Sequence, residues 1–319
     1  MTLTNQNTGR FPAAGGLRGL VLALGLALGL SGCGGGADDD AAGGEPGLSV
    51  VTTTTMLQDL TSHLVGDHGR VVGLMKPGQD PHVYDVLPRD AQAIAGADLV
   101  VANGLNLEAT LDDVIANNAR GRVVYVADRP EIEPLGSETY AVAPDPHCWM
   151  DVSLYMVYTR AVRDALVAVD PANEADYVAR AQAYLAELEE LDRWVREQFA
   201  AVPEAQRVIV TSHDAFNYFG EAYGVDVHGV IGISTEQAPR PQDVAALEAL
   251  VRDRGVRALF VETSTAPTLN DLVRKIAERT GVSVGGTLYS DSLGGPGSGA
   301  ETYVEMMRHN VSTVVEALR

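Results

Sequence analysis

From Leu48 onward the chain alternates short apolar runs rich in β-branched residues with longer stretches whose apolar positions recur every three or four residues. The first pattern suits buried strands and the second amphipathic helices. Strands are predicted at Leu48–Thr54, Val71–Leu74, Leu99–Ala102 and Val123–Ala127, with helical stretches such as Asp90–Ala97 and Glu108–Asn118 between them. A second series follows the same rhythm. Its strands are Val208–Thr211, Val225–Ile231, Ala258–Glu262 and Val282–Leu288, and its helices Ala215–Tyr223, Pro241–Arg254, Leu269–Thr280 and Glu301–Leu318. Strands that alternate with helices pair in parallel through crossover helices, so the fold class is α/β, built as two similar lobes.

Between the two series, Asp170-Pro171 opens about thirty residues without glycine that end near Pro203. Asp170 is a suitable N-cap and Pro171 a suitable first-turn residue. Tyr177, Ala181, Tyr184, Leu188, Leu191 and Val195 recur at steps of four and three, which marks one apolar stripe on a single helix. At 1.5 Å per residue it would be roughly 45 Å long, a stiff strut that permits only a small tilt between the lobes. The boundaries that follow are an N-terminal lobe at 48–169, a linking helix at 170–203 and a C-terminal lobe at 204–319.

The segment before Leu48 has another character. Arg10 and Arg18 precede twelve residues, Gly19 to Leu30, made only of glycine, leucine, valine and alanine, and no acid appears before Asp38. That run is too short for a mature membrane span but suits the core of a secretory signal. It ends in Leu30-Ser31-Gly32-Cys33, which resembles the lipobox of bacterial lipoproteins, where cleavage before the cysteine leaves an N-terminal Cys33 to carry the lipid. Residues 1–32 are thus expected to be a signal peptide and 33–47, rich in glycine, alanine and aspartate, a flexible tether. The folded part is expected to be extracytoplasmic, lipid-anchored at the membrane surface and not in it.

Composition narrows the function. Across 319 residues, 46% are hydrophobic and 21% charged, as in ordinary globular proteins. The formal charge of −20 repels polyanions and excludes nucleic acid as an expected partner. Two cysteines, one of them Cys33, cannot form a disulfide framework.

Three of the seven histidines, His82, His147 and His213, fall just past strands or in strand-to-helix loops, the edge where open parallel sheets bind ligands. His82 and His147 each end an Asp-Pro-His tripeptide. The proline stiffens the loop, and the aspartate could accept the other ring N–H. Asp291 follows the last strand. Three imidazoles and one carboxylate, two ligands from each lobe, would form a tetrahedral cage that suits Zn²⁺, while Mn²⁺ would require both oxygens of Asp291, water, or Glu262. Glu262 otherwise reads as an acceptor behind a ligand. His63, His68, His228 and His309 read as structural or solvated, Cys148 as a small packed residue facing away from the site, and Trp149 as core. Affinity is expected to fall below about pH 6.5, the free imidazole value.

At these residues the chain resembles the zinc- and manganese-binding solute-binding lipoproteins of bacterial ABC importers, the ZnuA/TroA/PsaA type. The likeness rests on Pro77-Gly78-Gln79-Asp80-Pro81-His82 with Tyr84, Asn103-Gly104-Leu105-Asn106-Leu107-Glu108, Asp145-Pro146-His147 with Trp149 and Asp151, Thr211-Ser212-His213 with Ala215, Phe216, Tyr218 and Phe219, Ile233-Ser234-Thr235-Glu236, and Asp291-Ser292 with Tyr303 and Met306. It implies two Rossmann-like lobes joined by one helix, a divalent metal held between them, and delivery to a membrane permease by a monomer that is not an enzyme. By motif position, His82, His147, His213 and Asp291 match the ligands. A histidine at position 213 leans toward zinc. The lack of histidine in Ala127–Pro144, where many zinc-binding members carry a His-rich loop, pulls the other way. The rival functions are a zinc-dependent hydrolase, which would need an open coordination position and finds no His-Glu-x-x-His string, and a surface adhesion lipoprotein.

Overall fold

The computed structural model describes residues 47–136 and 144–319. The signal segment 1–32, Cys33, the tether as far as residue 46, and residues 137–143 of the Ala127–Pro144 loop lie outside the described residues. Among the described residues no helix is long and apolar enough to cross a membrane.

The first sheet and its helices run β1 (Leu48–Thr52), α1 (Thr55–Val65), β2 (Gly69–Gly73), α2 (Pro88–Gly96), β3 (Leu99–Ala102), α3 (Ala109–Asn118), β4 (Arg122–Tyr125) and α4 (Val152–Val169). Then comes α5 (Glu174–Ala200). The second series is β5 (Val208–Thr211), α6 (Asn217–Tyr223), β6 (Asp226–Gly229), α7 (Pro241–Asp253), β7 (Ala258–Glu262), α8 (Pro267–Thr280), β8 (Ser283–Leu288) and α9 (Tyr303–Leu318). Both sheets are parallel and share one topology, β2-β1-β3-β4 and β6-β5-β7-β8. The strands that read as unbroken apolar runs, β3, β5 and β7, are buried along their whole length, as a strand covered on both faces must be.

Several element boundaries differ from the sequence reading, β2, β4, β6 and α6 by one to two residues at an end, and two others differ for clear chemical reasons. The threonine run after Val51 looks like strand, but β1 stops at Thr52 because Thr54 turns its hydroxyl back to accept from the Leu57 N–H and caps α1. At the other junction Asp170 does not cap the long helix. Its carboxylate accepts from Tyr177 Oη at 2.6 Å and Asn173 Nδ2 at 2.7 Å, Pro171–Asn173 form a 3₁₀ turn, and α5 begins at Glu174. The apolar stripe of α5 is buried as predicted and extends to Phe199. Its 27 residues span about 40 Å.

Helix α5 is not a strut standing alone. One continuous apolar core takes in residues of α1, α4, α5, α6 and α9 and the inward faces of both sheets, while α2 and α3 cover the far face of the first sheet and α7 and α8 that of the second. Aromatic residues tie the halves together at its centre. The Tyr155 and Tyr303 rings stack at 3.6 Å, Tyr303 Oη donates to the Trp149 carbonyl at 2.7 Å, and Trp149 Nε1 donates to the Ser290 carbonyl at 3.0 Å. Where α9 lies against β8, Gly285 leaves no room for a side chain: a Cβ there would sit 2.7 Å from that of Ala317 and 2.8 Å from that of Ala258.

Because both sheets share this core, metal-free protein should unfold in one thermal transition, with near-UV and far-UV circular dichroism coinciding; two separated transitions would contradict the shared core. Tyr303→Ala should cost about 3–5 kcal/mol in denaturant unfolding, as for other large buried aromatic residues.

Candidate metal centre

Each candidate ligand is delivered by a loop at the carboxyl ends of the strands. His82 sits in a 3₁₀ turn, Pro81–Val83, in the β2–α2 connection. His147 precedes the turn Cys148–Met150 that leads into α4, whose N-cap Asp151 accepts from the Ser153 N–H. His213 lies two residues past β5, and Asp291 three past β8. The structure brings these four together: one ligand atom from each, all mutually within 4.8 Å and all buried. His82 Nε2 is 3.3 Å from His147 Nε2, His147 Nε2 is 3.4 Å from Asp291 Oδ1, and His213 Nε2 is 3.1 Å from Asp291 Oδ2. Bonds of about 2.0–2.1 Å to a tetrahedral ion would set donors about 3.3 Å apart.

The atoms facing inward lack ordinary partners. Neither oxygen of Asp291 nor Nε2 of His213 has a hydrogen bond among the described residues, although all are buried. Unpaired buried polar atoms are costly, and a cluster of them aimed at one point has the chemistry to hold a cation. Carboxylates stand behind two of the rings. Asp145 Oδ1 accepts from both the backbone N–H and Nδ1 of His147, at 2.9 and 2.7 Å, which turns Nε2 toward the cluster. Glu262 Oε2 lies 2.6 Å from His213 Nδ1, and its Oε1 accepts from the His213 backbone N–H at 2.9 Å. Glu262 therefore stands behind His213, as expected.

The same support is absent at His82. Asp80 does not touch the ring; its Oδ1 accepts from the His82 backbone N–H at 2.9 Å and its Oδ2 from Thr235 Oγ1 at 2.6 Å. The two Asp-Pro-His tripeptides thus share a turn-capping aspartate but not its second role. Cys148 is buried beside Tyr158 and Tyr218, outside the cluster, and Trp149 is core. His63 stacks on Tyr184, His68 meets Asp176 at 2.8 Å, His228 lies near Asp226 and His309 reaches the Thr287 carbonyl, so none joins the four.

Two supports escaped the sequence reading. Glu108 is fully buried and accepts from Thr53 Oγ1 and from the backbone N–H groups of Asn103 and Gly104. That holds Asn103, whose Nδ2 donates to the Pro146 carbonyl just before His147. From α6, Asn217 Nδ2 donates to Asp145 Oδ2 and Tyr218 Oη to the Asp145 carbonyl. The quoted strings contain Asn103, Glu108 and Tyr218 but not Asn217, and only long-range contacts reveal what these residues hold.

Electrostatics divides the imidazoles. Burial drives His82 down to about 3 and keeps it neutral. Burial would also lower His147, yet Asp145 and Asp291 outweigh it and hold the ring up at about 9. His213 is likewise raised, Asp291 and Glu262 overcoming its desolvation. Burial would lift Asp291, but His213 and His147 keep it well below the usual carboxylate range.

A buried cluster of three imidazoles and a carboxylate, set at the strand ends of two matching parallel sheets, is the donor set and placement expected of a two-lobed solute-binding protein that takes a metal ion. Residues 50–317 match the family described as zinc-uptake complex component A, periplasmic (ZnuA), and the chain belongs to that family. The manganese-binding lipoprotein MntA of Halalkalibacterium halodurans is 38% identical over 293 residues, 92% of this chain and 95% of the relative. The zinc-binding protein TroA of Treponema pallidum is 36% identical over 302 residues, 93% and 96% of the two chains. The solved structure of TroA superposes with a TM-score of 0.80 over 84% of this chain and 98% of its own, and the manganese-bound periplasmic metal-binding protein of Candidatus Liberibacter asiaticus with 0.77 at 29% identity over 85% and 99%. This is a metal-binding component of an ABC importer, not an enzyme.

In metal-free protein, histidine NMR should find His82 neutral down to about pH 3 and His147 protonated up to about pH 9. Asp145→Asn should lower the His147 midpoint. The linkage has opposite signs at the two rings. Protonated His147 stabilises the fold below the free-imidazole value of about 6.5, a contribution lost as pH rises through about 9, whereas the neutral His82 weakens the fold as pH falls from about 6.5 toward 3.

Proposed function

We propose that His82, His147, His213 and Asp291 hold one divalent transition-metal ion as transported substrate, with Zn²⁺ bound more tightly than Mn²⁺, and that the loaded protein delivers it to an ABC permease. The observation that carries this reading is that one donor atom from each of these four buried side chains lies within 4.8 Å of the others, the Asp291 oxygens being 3.1 and 3.4 Å from imidazole nitrogens of His213 and His147. Three nitrogens and one oxygen suit Zn²⁺, and the general affinity order of divalent ions at nitrogen-rich sites places zinc well above manganese. A second reading, Mn²⁺ as the physiological cargo, draws support from the same residue: both Asp291 oxygens face the site, which offers a fifth donor to a larger ion. The name of the relative MntA agrees with that reading and the name of TroA with the first.

Capture is an exchange of charge. Three acidic side chains, Asp145, Glu262 and Asp291, surround the imidazoles in a dry setting, and the raised His147 and His213 hold protons there when no ion is bound. An arriving dication sheds its waters and takes the place of those two protons. The buried charge is then unchanged, which avoids the large cost of leaving either sign unbalanced. The four protein donors complete a tetrahedral sphere and leave no position for a hydrolytic water.

The rest of the reading concerns placement. Cys33 is the lipidation site after removal of residues 1–32, residues 33–47 are the tether, and the lobes at 48–169 and 204–319 with the link at 170–203 work outside the cytoplasm as a monomer. The names of relatives, a manganese-binding lipoprotein and metal ABC transporter substrate-binding lipoproteins, support the lipid anchor and the extracytoplasmic placement.

Untagged protein should bind one Zn²⁺ per chain and release it to Mn²⁺ only at large excess; equal retention of both ions in competition would favour the manganese reading. Affinity should climb with pH up to about 9, the His147 value, and not level off near 6.5 as for free imidazoles. Calorimetry in buffers of different ionisation enthalpy should count up to about two protons released per ion at neutral pH. Asp291→Ala or His82→Ala should abolish most of the metal-induced rise in melting temperature, and Glu262→Gln should weaken binding by about 10–100-fold. Retention of the full thermal shift by Asp291→Ala would remove the basis of the assignment.

A further inference from the structure

The loop that carries His82 belongs to the first lobe by sequence, yet it is hydrogen-bonded to the second lobe at two points. Thr235 Oγ1 donates to Asp80 Oδ2 at 2.6 Å, and the Gly78 N–H donates to Ser292 Oγ at 2.8 Å, Ser292 being the neighbour of Asp291. Thr235 and Asp80 occupy equivalent places in the two halves, the loop after the second strand of each sheet: β6 to α7 and β2 to α2. The other oxygen of Asp80 accepts from the His82 backbone N–H, so one carboxylate grips the second lobe and the ligand's own backbone together.

His82 is also the outermost of the four. It is 6% exposed, against 0–1% for the others. A cavity of about 60 Å³ lined by His82, Asn106, Pro146, Ile233 and Glu236 reaches it from the surface. An ion that enters or leaves by this mouth passes His82, and His82 cannot swing aside with its turn unless the bond across the cleft opens. Hydrogen bonds to ionised groups are the strong ones, and this one is short and half-buried.

Building on the four-ligand site proposed above, we infer that the Thr235–Asp80 hydrogen bond is an interlobe clasp that holds the His82 turn over the bound ion and sets the rate at which the ion is released. Thr235 is thus a positioning residue; it touches neither the ion nor a ligand ring. Ser292, tied to Gly78 from the side of Asp291, forms the second anchor of the same loop.

The test loads the full chain with Zn²⁺ and follows its transfer to an excess of chromogenic chelator by stopped flow. Thr235→Val keeps the shape and removes the hydroxyl, and should speed release about tenfold, the scale of one hydrogen bond to a charged group. Thr235→Ser restores the donor and should stay within about twofold of wild type. Wild-type release from Thr235→Val, or release from Thr235→Ser as fast as from Thr235→Val, would overturn the clasp while leaving the metal site standing. Wild-type protein that retains no Zn²⁺ at all would overturn the four-ligand reading and the clasp with it.

Discussion

The arrangement depends on the balance of charge in one dry volume. Asp145, Glu262 and Asp291 are acidic groups with almost no access to water, and the basic groups set against them are the rings of His147 and His213. A buried carboxylate left alone is prohibitively unstable, so this constellation persists only with compensating positive charge inside it. Protons on His147 and His213, both of them raised, supply that charge. The pattern of raised and lowered imidazoles follows from this constraint: rings backed by a carboxylate, His147 and His213, are raised, and the ring without one, His82, is depressed by burial.

Holding that balance requires rigid surroundings, and the fold provides them. Short loops at the strand ends of two matching sheets aim the side chains inward, and prolines at positions 81 and 146 limit how far two of those loops can drift. Behind them, Glu108 and Asn103 fix the Pro146 carbonyl, and Tyr218 and Asn217 fix Asp145. The aromatic core around Tyr155, Tyr303 and Trp149 then locks one half of the molecule to the other. A two-lobed protein with an open hinge could not keep ligands from both lobes at ion-binding spacing by packing alone. Here the lobes share one core, and among the four candidate ligands His82 is the most exposed.

Much of this was legible along the chain because it is local. Short β-branched apolar runs and 3.6-residue periodicity located eight strands and most helices, and β3, β5 and β7 fell on their predicted residues, since an unbroken apolar run has few other places to go. The stripe from Tyr177 to Val195 identified α5. Errors came where side-chain oxygens compete with the backbone: Thr54 ended a strand by capping a helix, and Asp170 chose a tyrosine hydroxyl over a helix end. The candidate ligands were legible because the chemistry of histidine and aspartate at strand ends is distinctive.

What the sequence by itself determined was therefore the set of elements, their parallel pairing and the four residues suited to a metal. Only the tertiary structure decided which partner each of them would meet. Asp80 and Asp145 occupy identical tripeptides, yet one grips Thr235 in the other lobe and the other grips the ring of its own histidine, a difference set by groups 155 and two residues away. The shift of one imidazole up and another down has the same origin. Burial and neighbouring charge act through space with no regard for order along the chain, and no pattern in the sequence encodes a distance between residues that folding has yet to bring together.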